Sequence, residues 1–141
     1  MKNLFILLGI ILTSAASLKA QEKFTVTVNI NGITNETGTI YASLTTDEST
    51  FPGGQNPMAS KVIKVEGNEV SFEFESVLGG TDYAIVLFQD LNGDSKMNRN
   101  GSMPAEPFGF SNYVMMGPPS WTNCSFLLEE NKEVTINLYS L

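Results

Sequence analysis

Apolar and polar side chains alternate one for one in run after run of this chain, and a period of two constrains it to strands. Phe24 to Ile30 (FTVTVNI) and Val70 to Phe74 (VSFEF) show the pattern most cleanly. Thr39 to Leu44, Lys61 to Val65, Cys124 to Leu128 and Val134 to Leu138 repeat it less strictly. Tyr83 to Phe88 (YAIVLF) is apolar on both faces, as a central strand buried from two sides would be. Between the runs stand Asn31-Gly32, Asn35 to Gly38, Pro52-Gly53-Gly54, Glu66 to Glu69 and Gly79-Gly80, residues suited to turns. The tight turn at Glu66 to Glu69 predicts a hairpin of Lys61–Val65 with Val70–Phe74. The reading is all-β: a single antiparallel β-sandwich of immunoglobulin or prealbumin type, with about seven strands and no amphipathic helix. Tyr83, opening the central strand, suits either a tyrosine corner or an ordinary core position.

The first 20 residues stand apart. Lys2 is followed by the apolar run Leu4 to Leu12, then small polar residues, and Ala20 precedes Gln21. This is the pattern of a cleaved secretory signal, with an apolar segment too short to span a bilayer. The expectation is therefore export to the periplasm or beyond the cell, and one domain over residues 21–141. No later stretch is apolar and long enough for a membrane span.

Fifteen acidic side chains against 8 basic ones, for a net charge of −7, exclude electrostatic nucleic-acid binding and disfavour anionic membranes. With no histidine, the chain builds neither a Ser-His nor a Cys-His nucleophile pair. Cys124 is the lone cysteine, so no internal disulfide forms. It reads as a buried apolar side chain in preference to an intermolecular bridge, because Phe126, Leu127 and Leu128 follow closely.

One stretch has no period. Gln89 to Pro119 is long for a loop in a small domain, and such loops tend to be functional. It opens with Asp90-Leu91-Asn92-Gly93-Asp94-Ser95-Lys96-Met97-Asn98, where oxygen-bearing side chains recur at alternate positions. Calcium takes six to eight hard oxygen ligands, and a tightly wound loop aims alternate residues at one centre. In that scheme Asp90, Asn92 and Asp94 are side-chain ligands, Lys96 offers its carbonyl, Asn98 acts directly or through water, and Glu106 closes the site. The spacing departs from an EF-hand: Ser95 stands where glycine is wanted, and Gly101 where the bidentate glutamate belongs. The competing reading is a run of Asx turns that cap their own backbone amides.

The later part of the stretch carries Phe108, Phe110 and Tyr113, with Trp121 just beyond, among several prolines. These rings either form a platform that stacks on a sugar or peptide, or fold inward as a small core over one end of the domain. The inward arrangement is favoured, since long loops must bury something to stay ordered.

Taken together, Tyr83-Ala84 to Phe88, the Asp90–Asn98 loop, and Pro104-Ala105-Glu106-Pro107-Phe108-Gly109-Phe110-Ser111-Asn112 resemble an uncharacterised family of secreted bacterial proteins, domain of unknown function 2141. The chain departs from that pattern at Asp82, inserted ahead of Tyr83, and at Met103, ahead of Pro104. The resemblance implies a secreted β-sandwich and brings no activity with it. The expected function is a non-enzymatic exported domain with a structural calcium loop that binds a protein or glycan. The alternatives are a carbohydrate-binding module using the loop aromatics, and a small hydrolase with Glu106 and Asp90 or Asp94 as acid and base.

Overall fold

The computed structural model describes residues 20–141, so the export segment expected over residues 1–20 lies outside the described residues but for Ala20. The alternating runs do become strands, in chain order β1 (Lys23–Asn31), β2 (Thr39–Thr45), β3 (Ala59–Lys64), β4 (Val70–Leu78) and β5 (Thr81–Asp90). The aperiodic stretch adds β6 (Arg99–Asn100), β7 (Met103–Pro104) and β8 (Phe108–Phe110). A single helical turn, α1 (Trp121–Cys124), precedes β9 (Phe126–Leu128) and β10 (Lys132–Asn137). No helix among the described residues is long and apolar enough to cross a membrane.

Two main sheets result, neither closed on itself. One has the order β10-β1-β4, the other β3-β2-β5-β8 with β9 also paired to β5. Their apolar faces supply one cluster: Val26, Val28 and Ile30 from β1, Phe74 from β4 and Ile136 from β10, with Ile40 and Leu44 from β2 and Ile85 and Leu87 from β5. All of these are essentially inaccessible to water, which is the burial that holds a fold of short strands together.

Several expectations change. The described residues form ten strands where about seven were expected, and the extra ones are two or three residues long, too short to leave a period in sequence. The hairpin of Lys61–Val65 with Val70–Phe74 does not exist: β3 pairs with β2, and β4 pairs with β1. Turn residues require only that the chain reverse, and here it reverses by crossing from one sheet to the other. The acidic turn Glu129–Lys132 does the same between β9 and β10. The pairing is not wholly antiparallel either, since β10 runs parallel to β1. Alternation is the same for both senses of pairing, so sequence could not distinguish them. Cys124, expected at a strand start, ends α1; its side chain is fully buried and burial pushes its thiol pKa up, leaving a protonated, inert group.

Two readings of Tyr83 were open, and the geometry is that of a tyrosine corner. Its hydroxyl donates to the Leu78 carbonyl at 2.9 Å, tying the Gly79-Gly80 reversal to the end of β4.

Candidate functional site

The outer face of the larger sheet is where apolar side chains gather without a second sheet to cover them. β2, β5 and β8 are in register there, Tyr41 beside Phe88 beside Phe108, and Ser43 beside Val86 beside Phe110. Side chains two apart share a face, so these six form two rows across the three strands. The Tyr41 and Phe88 rings stack, with centroids 5.3 Å apart and planes 14° from parallel.

Three segments rise around this floor and leave a cleft of about 770 Å³ between them. Pro52-Gly53-Gly54 after β2 form one wall, Met97 to Pro104 another, and Tyr113 to Pro119 the third. Tyr113 is held by a hydroxyl bond to the Gly117 carbonyl at 2.6 Å and by edge-on packing against Phe110. Ser111, fully buried, anchors the same wall: its hydroxyl accepts from the Ile85 amide at 2.8 Å and donates to the Cys124 carbonyl at 2.6 Å.

The loop aromatics thus divide. Phe108 and Phe110 are buried in a second apolar cluster with Cys124, against which Phe51, Phe88 and Tyr113 pack, as the inward arrangement predicts. Both also line the cleft, as does Tyr113, which is half-buried. Trp121 is half-buried, packs edge-on to Phe51 at 5.8 Å and takes no part in the lining.

The Asp90–Asn98 loop adjoins the cleft, joined to its floor where the Tyr41 and Ser95 hydroxyls meet at 2.7 Å. Its oxygens are engaged by N–H groups. Asp90, buried, accepts from the Gly93 amide at 2.7 Å and the Ser95 amide at 2.8 Å. Asn92 accepts from the Asp94 amide at 3.0 Å, and Asp94 from the Lys96 amide at 2.9 Å and the Asn98 side-chain amide at 2.8 Å. The Asn92 side-chain amide donates to Asn98 Oδ1 at 2.9 Å. Glu106, also buried, reaches across from the far side, its two oxygens accepting from the Leu91 and Asn98 amides at 3.1 Å each. So the Asp90, Asn92, Asp94 and Asn98 side chains are brought together in one loop, in the arrangement of successive Asx turns, with Glu106 reaching it from outside. No group of three or more acidic or cysteine side chains converges in metal-holding geometry among the described residues.

The Asn98 side chain first, and then the Lys96 amide, hold the Asp94 carboxyl below its ordinary value of 3.8. A depressed folded-state pKa contributes stability above the unfolded value that is lost as pH falls through the folded one. Asp94→Ala is therefore expected to lower the thermal midpoint above about pH 5, with the gap to wild type closing below pH 3.8. Midpoints of both proteins from about pH 2.5 to 7 check this.

Sequence reasoning missed Tyr41, Ser43, Val86 and Phe88 as site residues. The signal was present in Tyr83 to Phe88, whose second apolar face is here the floor of a cleft and not a second buried interior. Arg99, which also lines the cleft, carried no signal beyond its charge.

Among curated proteins and solved structures nothing matches this chain. A family model does, that of an uncharacterised protein conserved in bacteria, DUF2141, over residues 28–137. The match spans both main sheets, the Asp90–Asn98 loop and most of the cleft. The chain belongs to the DUF2141 family.

Proposed function

We propose that this protein is an exported, non-enzymatic β-sandwich of immunoglobulin or prealbumin type that binds a largely apolar ligand in the cleft over β2, β5 and β8. The observation that carries the reading is the cleft itself: about 770 Å³, floored by Tyr41, Val86, Phe88, Phe108 and Phe110 and open to solvent. Ligand sites are typically concave, apolar and of roughly 300–1,000 Å³. Apolar surface left uncovered on this scale marks a binding site more often than it marks waste. Export is supported by Lys2, the Leu4–Leu12 run and Ala20. A sandwich is supported by the two sheets that share one core.

What favours an apolar ligand over a glycan is the polar content of the lining. Beside Arg99, only Ser43, Ser102 and two tyrosine hydroxyls already bonded to Ser95 and the Gly117 carbonyl offer polar side-chain contacts to a sugar, and Trp121 stands outside the cleft. What favours binding over hydrolysis is the engagement of Glu106 and Asp90 with backbone amides, away from the cleft lining.

The test is fluorescence titration with the neutral apolar probe N-phenyl-1-naphthylamine. Saturable binding is expected, weakened about tenfold or more in Val86→Trp or Ser43→Trp, either of which fills the floor. Unchanged affinity in both folded variants would place the probe elsewhere and defeat the reading.

Calcium forms a second part of the proposal, on a separate observation. Asp90 and Glu106 are buried carboxylates, and the ion pair found among the described residues is Lys64–Glu66, on the surface and elsewhere. Buried charges are ordinarily paired or bound to metal. A calcium ion would be held by Asp90, Asn92, Asp94, Asn98 and Glu106, with the Lys96 carbonyl, and would clamp the loop that borders the cleft.

A further inference from the structure

We propose that the ligand of this cleft is an amphipathic anion, a long-chain carboxylate whose tail lies on the Val86–Phe88 floor and whose head meets Arg99. The inference rests on the cleft being the binding site, and it adds the ligand's chemical class.

Arg99 opens β6 on the wall between Met97 and Pro104. Among the described residues it is the charged side chain in the lining, and no aspartate or glutamate joins it there. In a chain of 15 acidic and 8 basic residues, the cleft thus reverses the prevailing charge at one point. The guanidinium carries five N–H donors. One, on Nη1, goes to the Ser102 carbonyl at 3.2 Å, which orients the group without neutralising it. No carboxylate lies within ion-pair distance of it among the described residues. An exposed arginine held by a carbonyl and free of counter-charge retains donors for a carboxylate, to which its fork is geometrically matched.

The remainder of the lining specifies what is attached to that carboxylate. Met97, Met103 and Met115 stand around the cleft, and Met103 is 51% and Met115 39% exposed. Unbranched thioether side chains adapt to irregular apolar shapes, which suits an alkyl chain better than a rigid ring. Val114 and Met116, which alternate with Tyr113 and Met115, lie outside the cleft lining, so of these four the third wall turns only Tyr113 and Met115 toward the ligand. A cationic amphiphile would meet Arg99 as a like charge, and a neutral one would leave its donors unused.

The test is displacement of N-phenyl-1-naphthylamine by laurate, dodecanol and dodecylamine, below micelle-forming concentrations, from wild type, Arg99→Gln and Arg99→Lys. Laurate is expected to compete about tenfold or more better than dodecanol, the scale of a charge-assisted hydrogen bond at a partly exposed site, with dodecylamine weakest. Arg99→Gln should erase the laurate advantage, read within each variant as the ratio of laurate to dodecanol competition, and Arg99→Lys should keep part of it. Equal competition by laurate and dodecanol, or an advantage that survives Arg99→Gln, overturns the anion and leaves the cleft reading standing. Failure of the folded wild-type protein to bind the probe at all overturns both. Arg99 is exposed, so its variants are expected to fold.

Discussion

Replacing Gly38 by alanine should lower the thermal midpoint by on the order of 10–20 °C, through a clash and a strained backbone together. Gly38 sits just ahead of β2, at φ +82°, a region that L side chains enter at a cost of about 1–2 kcal/mol. An added Cβ would lie far inside contact distance of the Asp90 carbonyl oxygen, and 3.4 Å from the Leu91 Cα. Both neighbours are backbone, so no side chain can swing aside. The start of β2 would be pushed from the end of β5, where Thr39 pairs with Asp90 and the Asx-turn loop begins. Overpacking of this kind costs typically about 1–3 kcal/mol on top of the strain. Two controls separate the contributions. Gly93, at φ +80° with open space around its Cα, should lose about 1–2 kcal/mol as Gly93→Ala from strain alone. Gly67, which has neither a positive φ nor a neighbour within 4 Å, should be near neutral as Gly67→Ala. Differential scanning calorimetry of the three variants checks the order. A Gly38→Ala midpoint no lower than that of Gly93→Ala would show that β2 and β5 separate there at little cost.

Such contacts explain what sequence could and could not disclose. Val26, Val28, Ile30, Val70 and Phe74 were legible as core because burial on one face of a strand imposes a period of two, whatever the partner. Which strand lies beside which was not legible, because Glu66–Glu69 and Glu129–Lys132 have turn chemistry whether the chain pairs with itself or crosses to the other sheet. The Asp90–Asn98 loop was legible as a unit from alternating oxygens. Glu106, 16 positions on from Asp90, was reachable from sequence only as a carboxylate that a wider excursion of the chain could bring back; that it meets the Leu91 and Asn98 amides depends on tertiary contacts. The cleft escaped because its floor is made of strand positions whose periodicity matches that of a core. Tyr41, Val86 and Phe88 become site residues only through the walls that leave them uncovered, and those walls are loops without period.

The loop and the cleft also depend on one another, and Glu106 is where this can be measured. Its carboxylate bridges Leu91, at the loop's start, to Asn98, at its end, by accepting a hydrogen bond of 3.1 Å from each backbone amide. The Asn98 carbonyl then accepts from the Ala105 amide at 2.8 Å, so the segment bearing Glu106 is itself fastened to the loop it closes. Glu106→Ala leaves both amides without an acceptor in a partly buried place, at a cost of about 1–3 kcal/mol for each such group, less where water can enter. A total loss of about 2–4 kcal/mol is expected, with Glu106→Gln intermediate, since its carbonyl keeps one amide while its NH₂ faces the other. The same variants report on calcium. Extracellular-type sites bind with dissociation constants of about 0.1–1 mM, so 10 mM calcium would stabilise wild type by roughly 1.4–2.7 kcal/mol by linkage. The expected result is a midpoint that rises with calcium over EDTA and not with magnesium, and a rise lost in Glu106→Ala and in Asp90→Ala with Asp94→Ala. A rise that persists in the double variant removes calcium from this loop. A flat wild-type response with the full Glu106→Ala destabilisation leaves the amides as the sole partners of these carboxylates. Since Met97 and Arg99 on the cleft wall flank Asn98, Glu106→Ala should also weaken laurate displacement of the probe, coupling loop closure to the ligand site.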